Sequence, residues 1–204
     1  MSDFTEHPLR KELSEEVHAR PYGLLKAPVR VAHLAVLSVP EPASDARHYS
    51  GVLNSSDECE LRMKWERHTE FSSYTFYCSG DFDDPFAASV VDMLPADWLA
   101  KMPGEVLSAT NLSLEGAETS EREFTDLADL FANNLVTGSA MRGGQALVWT
   151  DFRVHEDGFN RILVRDQGMN QRQGGRLIQR LLEVSAYRMM AMLAFPLARD
   201  VLPR

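Results

Sequence analysis

Residues Cys59–Tyr77 read CELRMKWERHTEFSSYTFY. Cys59, Leu61, Met63 and Trp65 alternate with Glu60, Arg62, Lys64 and Glu66, the period-two pattern of a strand with one apolar and one polar face. On the return, Tyr74, Phe76 and Cys78 share one parity, so the stretch reads as a hairpin. A reversal at His68-Thr69 pairs Trp65 with Ser72, Met63 with Tyr74 and Leu61 with Phe76, gathering the apolar side chains on one face as burial demands. Cys59 then faces Cys78. Lys64, Glu66 and, with the strand continued, His68 share the polar face.

Outward from this hairpin, Val29–Val39 is a strand rich in Val, Leu and Ala that stops at Pro40-Glu41-Pro42. Ser44–Leu53 reads as a helix capped by Ser44. Pro8–His18 is a short helix with Leu9, Leu13 and Val17 on one face, ended by Arg20-Pro21 and Gly23. Pro85–Lys101 is helical and broken at Pro95. Val106–Leu114 is a strand, and Ser120–Asn133 an amphipathic helix with Phe124, Leu127 and Phe131 on one side. Asn134–Ala140, Gln145–His155 and Phe159–Arg165 form the last strands, and Asn170–Leu197 the longest helix. The expected fold is α+β, a mixed, mostly antiparallel sheet with flanking helices, in a single soluble domain over 1–204. Residues 1–26 form an N-terminal helical arm, and 170–204 a long C-terminal helix. The order suggests a duplicated strand-helix-hairpin-helix unit. Trp65, His68 and Phe71 in one half match Trp149, His155 and Phe159 in the other, although two amphipathic hairpins resemble each other this far without duplication.

A chain of 204 residues with 44% hydrophobic and 25% charged residues matches ordinary globular averages and can bury a core without staples. The net charge of -9 argues against nucleic acid, which needs a basic footprint. Met1–Arg20 is charged throughout and lacks the apolar segment of a secretory signal. The apolar run Met189–Phe195 is too short to span a bilayer, which takes about 20 residues. A soluble, cytosolic setting follows, in which Cys59 and Cys78 are expected as reduced neighbours.

The second hairpin, TDFRVHEDGF at Thr150–Phe159, should turn at Glu156-Asp157-Gly158 with Gly158 at positive φ. Phe152 then aligns with Ile162, and Phe152 and Val154 point into the core. Asp151, Arg153 and His155 project together on the other face. Were this face adjacent to Lys64, Glu66 and His68, the six would form one polar cluster. A carboxylate beside a His suits general base work or a divalent metal. The competing reading is a solvated sheet face carrying alternating charge. No cofactor is expected from any motif.

His18 and Arg20 are candidate anion contacts, although cations also favour the last carbonyls of a helix. Arg172 and Arg176 flank Gly174-Gly175 at a helix start, a second candidate anion site. Neither GxGxxG nor a Walker pattern accompanies them. Gly138 and Gly143-Gly144 flank a turn between strands. No GxSxG or HExxH string points to a nucleophile or a zinc site.

HPLRKELSEEVHARP, KWERHTEFSSYTF, TDFRVHEDGFNRILV and QRQGGRLIQRLLEVSAYRMMAMLAFPLAR together resemble a bacterial family of uncharacterised, predicted membrane-anchored proteins, the domain of unknown function 3422. The resemblance covers nearly the whole chain. It implies a soluble N-terminal domain at the inner face of the bacterial membrane, followed by a helical region and membrane segments beyond this sequence. It implies no catalytic residue. The order of such a protein, with Met63-Lys64-Trp65-Glu66 before an aromatic strand, is also similar to magnesium channels of the CorA type, an analogy at the level of fold. The expected role is non-enzymatic: sensing, regulation or scaffolding. The alternatives are a metal-dependent enzyme using the His/Asp/Glu cluster and a cytosolic regulatory domain of a CorA-like transporter.

The final helix should be capped by Asn170 with Gln173 completing a capping box. Leu177, Leu181 and Val184 form its stripe, widened by Ile178 and Leu182. Met189, Met190, Met192, Leu193 and Phe195 put apolar surface on nearly all sides of its end. Self-association through this helix is therefore expected, with membrane contact only through the part beyond this sequence.

Overall fold

A computed structural model describes residues 5–11, 22–37, 48–55 and 59–201. Eight strands form one mixed sheet: β1 (Val29–Leu37), β2 (His48–Ser55), β3 (Glu60–Arg67), β4 (Phe71–Ser79), β5 (Glu105–Glu115), β6 (Thr137–Met141), β7 (Ala146–Val154) and β8 (Asn160–Asp166). Two α-helices accompany it among the described residues, α1 (Phe124–Leu130) and α2 (Gln171–Val201). The fold is α+β, as the pattern of elements implies.

The strand order is β2-β3-β4-β1-β5-β8-β7-β6. Each half runs outward from the central β1–β5 pair in the same spatial sequence. However, β4 is antiparallel to β1, whereas β8 is parallel to β5. The difference arises at one connection. The segment expected as helix Ser44–Leu53 is strand β2 from His48 onward, pairing Tyr49 with Trp65 and Gly51 with Met63. The aromatic Tyr49 and β-branched Val52 suit a strand better than a helix, and β3 offers an edge to pair with. Residues 44–47, with the expected Ser44 cap, lie outside the described residues, as does most of the expected helix Pro8–His18. Among the described residues, the second half has a helix, α1, between β5 and β6. The two halves therefore share a spatial order but not one topology.

The first hairpin forms in a register two residues away from the expected one. Leu61 pairs with Cys78, Met63 with Phe76 and Trp65 with Tyr74. The reversal sits at Thr69-Glu70, with the His68 amide donating to the Phe71 carbonyl. Face parity is preserved because the shift is even. Cys59 and Cys78 are joined by a disulfide with Cα atoms 5.5 Å apart, within the reach such a bond requires, rather than lying side by side as free thiols.

Two layers cover the sheet. On one face lie Leu34, Val36, Leu61, Phe76 and Cys78, packed by the segment after β4. That segment, expected as helix Pro85–Lys101, instead makes 3-10 turns at Val90–Met93 and Leu99–Lys101 on either side of Pro95. α1 is shorter than the expected Ser120–Asn133. Glu123 and Asp126 form its capping box, and Ala132 and Asn133 at positive φ follow its end. Phe131 is fully buried against Phe86 and Leu163, but Phe124 is exposed rather than on the buried side.

The other face carries α2. Asn170 accepts from the Gln173 amide (3.0 Å) and its own amide donates to Gln173 (2.8 Å), completing the expected capping box. Leu177, Ile178 and Leu182 pack on Val29, Val31, Leu112, Leu114 and Val164. Val184, expected in this stripe, is exposed, and Glu183 is buried in its stead. From Ala191 to Pro196 and from Ala198 to Asp200 the helix side chains are exposed, so its last turns leave the sheet.

Candidate functional site

The polar side of β3 does not face water. Its alternation sends Lys64, Glu66 and His68 to the face that α2 covers, and all three are buried. Register then builds two rows across four strands. Lys64 pairs with Thr75, Thr75 with His33 and His33 with Thr110. Glu66 pairs with Ser73, Ser73 with Ala35 and Ala35 with Ser108. α2 closes over these rows with Gln179, Glu183, Ser185 and Tyr187.

Polar contacts run along this seam. Lys64 Nζ lies 2.9 Å from Glu66 Oε2 and donates to Gln179 Oε1 at 2.9 Å. Gln179 Nε2 donates to Glu183 Oε1 (2.7 Å) and to Glu66 Oε2 (3.3 Å), so one amide bridges two carboxylates. His68 shares hydrogen bonds with Tyr187 Oη (3.0 Å) and Ser73 Oγ (3.1 Å), and its ring stacks on Phe71. His33 Nδ1 lies 2.9 Å from Thr75 Oγ1, and Thr110 Oγ1 3.4 Å from Ser185 Oγ.

Burial shapes the acid–base properties of these groups. Loss of hydration, and then the Lys64 charge, lower the His33 pKa to about 4. Burial chiefly raises the Glu183 carboxyl; the Gln179 hydrogen bond opposes this, and Glu66 adds to it. Burial and then Glu66 also push the Tyr77 phenol above its usual range.

The second trio is built differently. A β-bulge separates Thr150 from Val154, so Ile162 pairs with Thr150 rather than with Phe152. Thr150 Oγ1 accepts from the Phe152 amide (3.2 Å), Asp151 Oδ1 accepts from the Arg153 amide (3.2 Å), and Phe152 takes φ 57°. Phe152 and Val154, expected in the core, are exposed; Arg188 of α2 lies over the Phe152 ring at 5.1 Å. Asp151 is buried, accepts from Asn134 (2.8 Å) and lies 2.9 Å from His155 Nε2. Arg153 is exposed. Gly158 has φ 83° and its amide donates to the His155 carbonyl, the expected turn.

Asp151 shares strand parity with Trp149, which packs with Phe86 and Phe131 on the face away from α2. β3 and β7 are also separated by four strands. The structure therefore brings Lys64, Glu66 and His68 together under α2, and Asp151 and His155 together elsewhere. The six do not form one cluster. Among the described residues no group of three or more His, Cys, Asp or Glu is placed to hold a metal ion.

The Gly174-Gly175 pair serves packing. A Cβ on Gly175 would lie 1.8 Å from the Gly23 carbonyl oxygen, and one on Gly174 3.1 Å from that of Leu25. The Leu25 amide donates to the Gln171 carbonyl, tying this segment to the helix start. Arg176 stacks on Tyr22 and donates to its hydroxyl, while Arg172 is exposed. A cleft of about 180 Å3 beside the helix start is lined by Lys26, Glu118 and Asp166 among others, a mixed surface rather than a basic one. His18 and Arg20 lie outside the described residues.

The chain belongs to the family described as protein of unknown function (DUF3422), whose profile matches residues 5–204. No curated protein and no solved structure matches it. In this DUF3422 chain, His33, Gln179, Glu183 and Tyr187 complete the seam, and none stood out in the sequence. Gln179, Glu183 and Tyr187 recur at four-residue spacing along α2, the one signal that could have found them.

Proposed function

We propose that this chain is a non-enzymatic regulatory domain of a bacterial membrane-anchored protein, and that α2 is the element through which it acts. The observation that carries this reading is the split in α2: its first turns are embedded in the core, and its last turns stand clear of the sheet. Met192, Leu193 and Phe195 are exposed on that free end. Exposed apolar patches of this kind mark interfaces. By length and composition alone, Gln171–Asp200 is also apolar enough to cross a membrane, although its first part packs on the sheet. The partner proposed for the free end is a second copy of the chain.

Light scattering across a concentration series tests this. The chain should self-associate, and Met192→Ser with Phe195→Ser should return it to a monomer. A chain that is monomeric throughout the series refutes the self-association reading. The side of the membrane on which the domain lies is read from Cys59 and Cys78. Disulfides persist outside the reducing cytosol, so free thiols in protein trapped from cells support a cytoplasmic face and a bonded pair opposes it.

A further inference from the structure

Three buried atoms of the seam lack hydrogen-bond partners: His33 Nε2, Glu66 Oε1 and Ser108 Oγ. They belong to the two adjacent rows beneath the middle of α2. Glu66 and Glu183 sit on either side of the same Gln179 amide. Among the described residues, Lys64 is the only cation buried with these two carboxylates. When all three groups are ionised, the seam holds one excess negative charge in a water-poor space. When one carboxylate holds a proton, the charges balance.

We propose that this seam is a proton-operated latch on α2. With a proton on Glu183, the stretch from Glu183 to Met190 is seated on the sheet. Loss of that proton sets two carboxylates against one ammonium and releases this stretch, while the first turns stay anchored. The anchor is steric and apolar: Gly175 against Gly23, and Leu177, Ile178 and Leu182 in the core. Toward Met190 the helix is also held by apolar contacts among Ala35, Phe71, Ala186, Tyr187 and Met190, and by Arg188 over the Phe152 ring. Release would therefore redirect the free end that follows Met190.

Glu183 is the group suited to this role. Burial raises its carboxyl, and the facing Glu66 adds to the effect, against the Gln179 hydrogen bond, Lys64 and Arg180. The other titratable and charged groups on elements packed around it are His33 on β1, Arg62 and His68 on β3, Tyr77 on β4, and Tyr187 and Arg188 on α2. His33 stays neutral down to about 4, and the Tyr77 phenol is held above its usual range. The arginines remain cationic throughout. The latch goes beyond the self-association reading and does not depend on it.

Amide hydrogen exchange of the 204-residue chain, corrected for intrinsic rates, tests the latch. Between an acidic and an alkaline pH, protection over 183–190 should fall about tenfold or more, with protection at 175–182 unchanged. Glu183→Gln, which mimics the protonated acid, should keep the high protection at both pH values. Protection that is independent of pH in the wild type, or a fall that survives in Glu183→Gln, overturns the proposal. Should Glu183→Gln not fold, Glu66→Gln decides: it leaves one carboxylate against Lys64 and should reduce the fall to less than about twofold. A fall as large as the wild type's in Glu66→Gln overturns the latch.

Discussion

The first turns of α2 and its middle turns rest on the same sheet face by different chemistry. Leu177, Ile178 and Leu182 meet a continuous apolar surface, with the backbone of Gly23 pressed against Gly175. Interleaved with these and beyond them, Gln179, Glu183 and Tyr187 meet Lys64, Glu66 and His68 through hydrogen bonds and an ion pair. Apolar burial is indifferent to pH, whereas the polar seam changes with every proton it gains or loses. One helix thus joins a permanent anchor to a conditional one.

The largest expected effect is on the conditional side. Lys64→Ala strands the buried Glu66 carboxylate and should cost about 3–5 kcal/mol by chemical denaturation near neutral pH. The loss should shrink in acid, where an unpaired buried carboxylate is neutralised. A loss that stays the same at all pH values would mean that Lys64 acts through packing alone.

Next comes pH itself. Below about 6.5 an unfolded His33 is protonated while the folded one is not, so stability falls as pH drops to about 4. That loss is roughly 3 kcal/mol across the window. Glu183 works in the opposite sense. Its raised carboxyl contributes stability that is fully present below its unfolded pKa and is lost as pH rises through the folded one. Compared with wild type, Glu183→Gln should therefore gain stability more steeply as pH rises from about 4.5 to 6.5, and His33→Gln less steeply. Denaturant titrations giving parallel profiles for the two variants would remove the seam from the account.

On the permanent side, Gly175→Ala should cost about 1–3 kcal/mol, because the new methyl meets backbone rather than a yielding side chain. This loss should not depend on pH. Gly174→Ala, with more room, should cost less. The smallest effect is expected past both anchors. Met192→Ser with Phe195→Ser should change the folding stability of the monomer little, by less than about 0.5 kcal/mol, because these side chains are already exposed.

Much of this architecture was legible in the sequence, and the exceptions have physical reasons. Period-two alternation located β3 and β4, strands β1, β5, β6, β7 and β8 were also legible, and the Asn170–Gln173 box located the start of α2. Alternation gives face parity but is blind to a shift by two, which is how Leu61 came to oppose Cys78. It also assumes a regular strand. The bulge at Thr150–Val154 breaks that assumption and turns Phe152 and Val154 outward. Strand β2 was hidden because its pairing with β3 outweighs a weak local helix signal.

The candidate site was half visible. Lys64, Glu66 and His68 were singled out as one polar face, but nothing local said that a helix over a hundred residues later would bury it. Glu183 is not legible locally, because a carboxylate in an amphipathic helix reads as a surface residue until its partner is in view. Asp151 and His155 do meet, at the far side of the sheet, because the bulge that exposes Phe152 leaves them together.

The central claim is that α2 seals a water-poor polar seam against the sheet. His33 reports on that seal most directly, because its ring lies in the middle of the two rows. Its titration can be followed by ring carbon and proton shifts, assigned with His33→Gln. The account predicts a midpoint near about 4. A midpoint near the ordinary histidine value of about 6.5 would contradict it, because His33 would then be open to water and the seam beneath α2 would not be sealed.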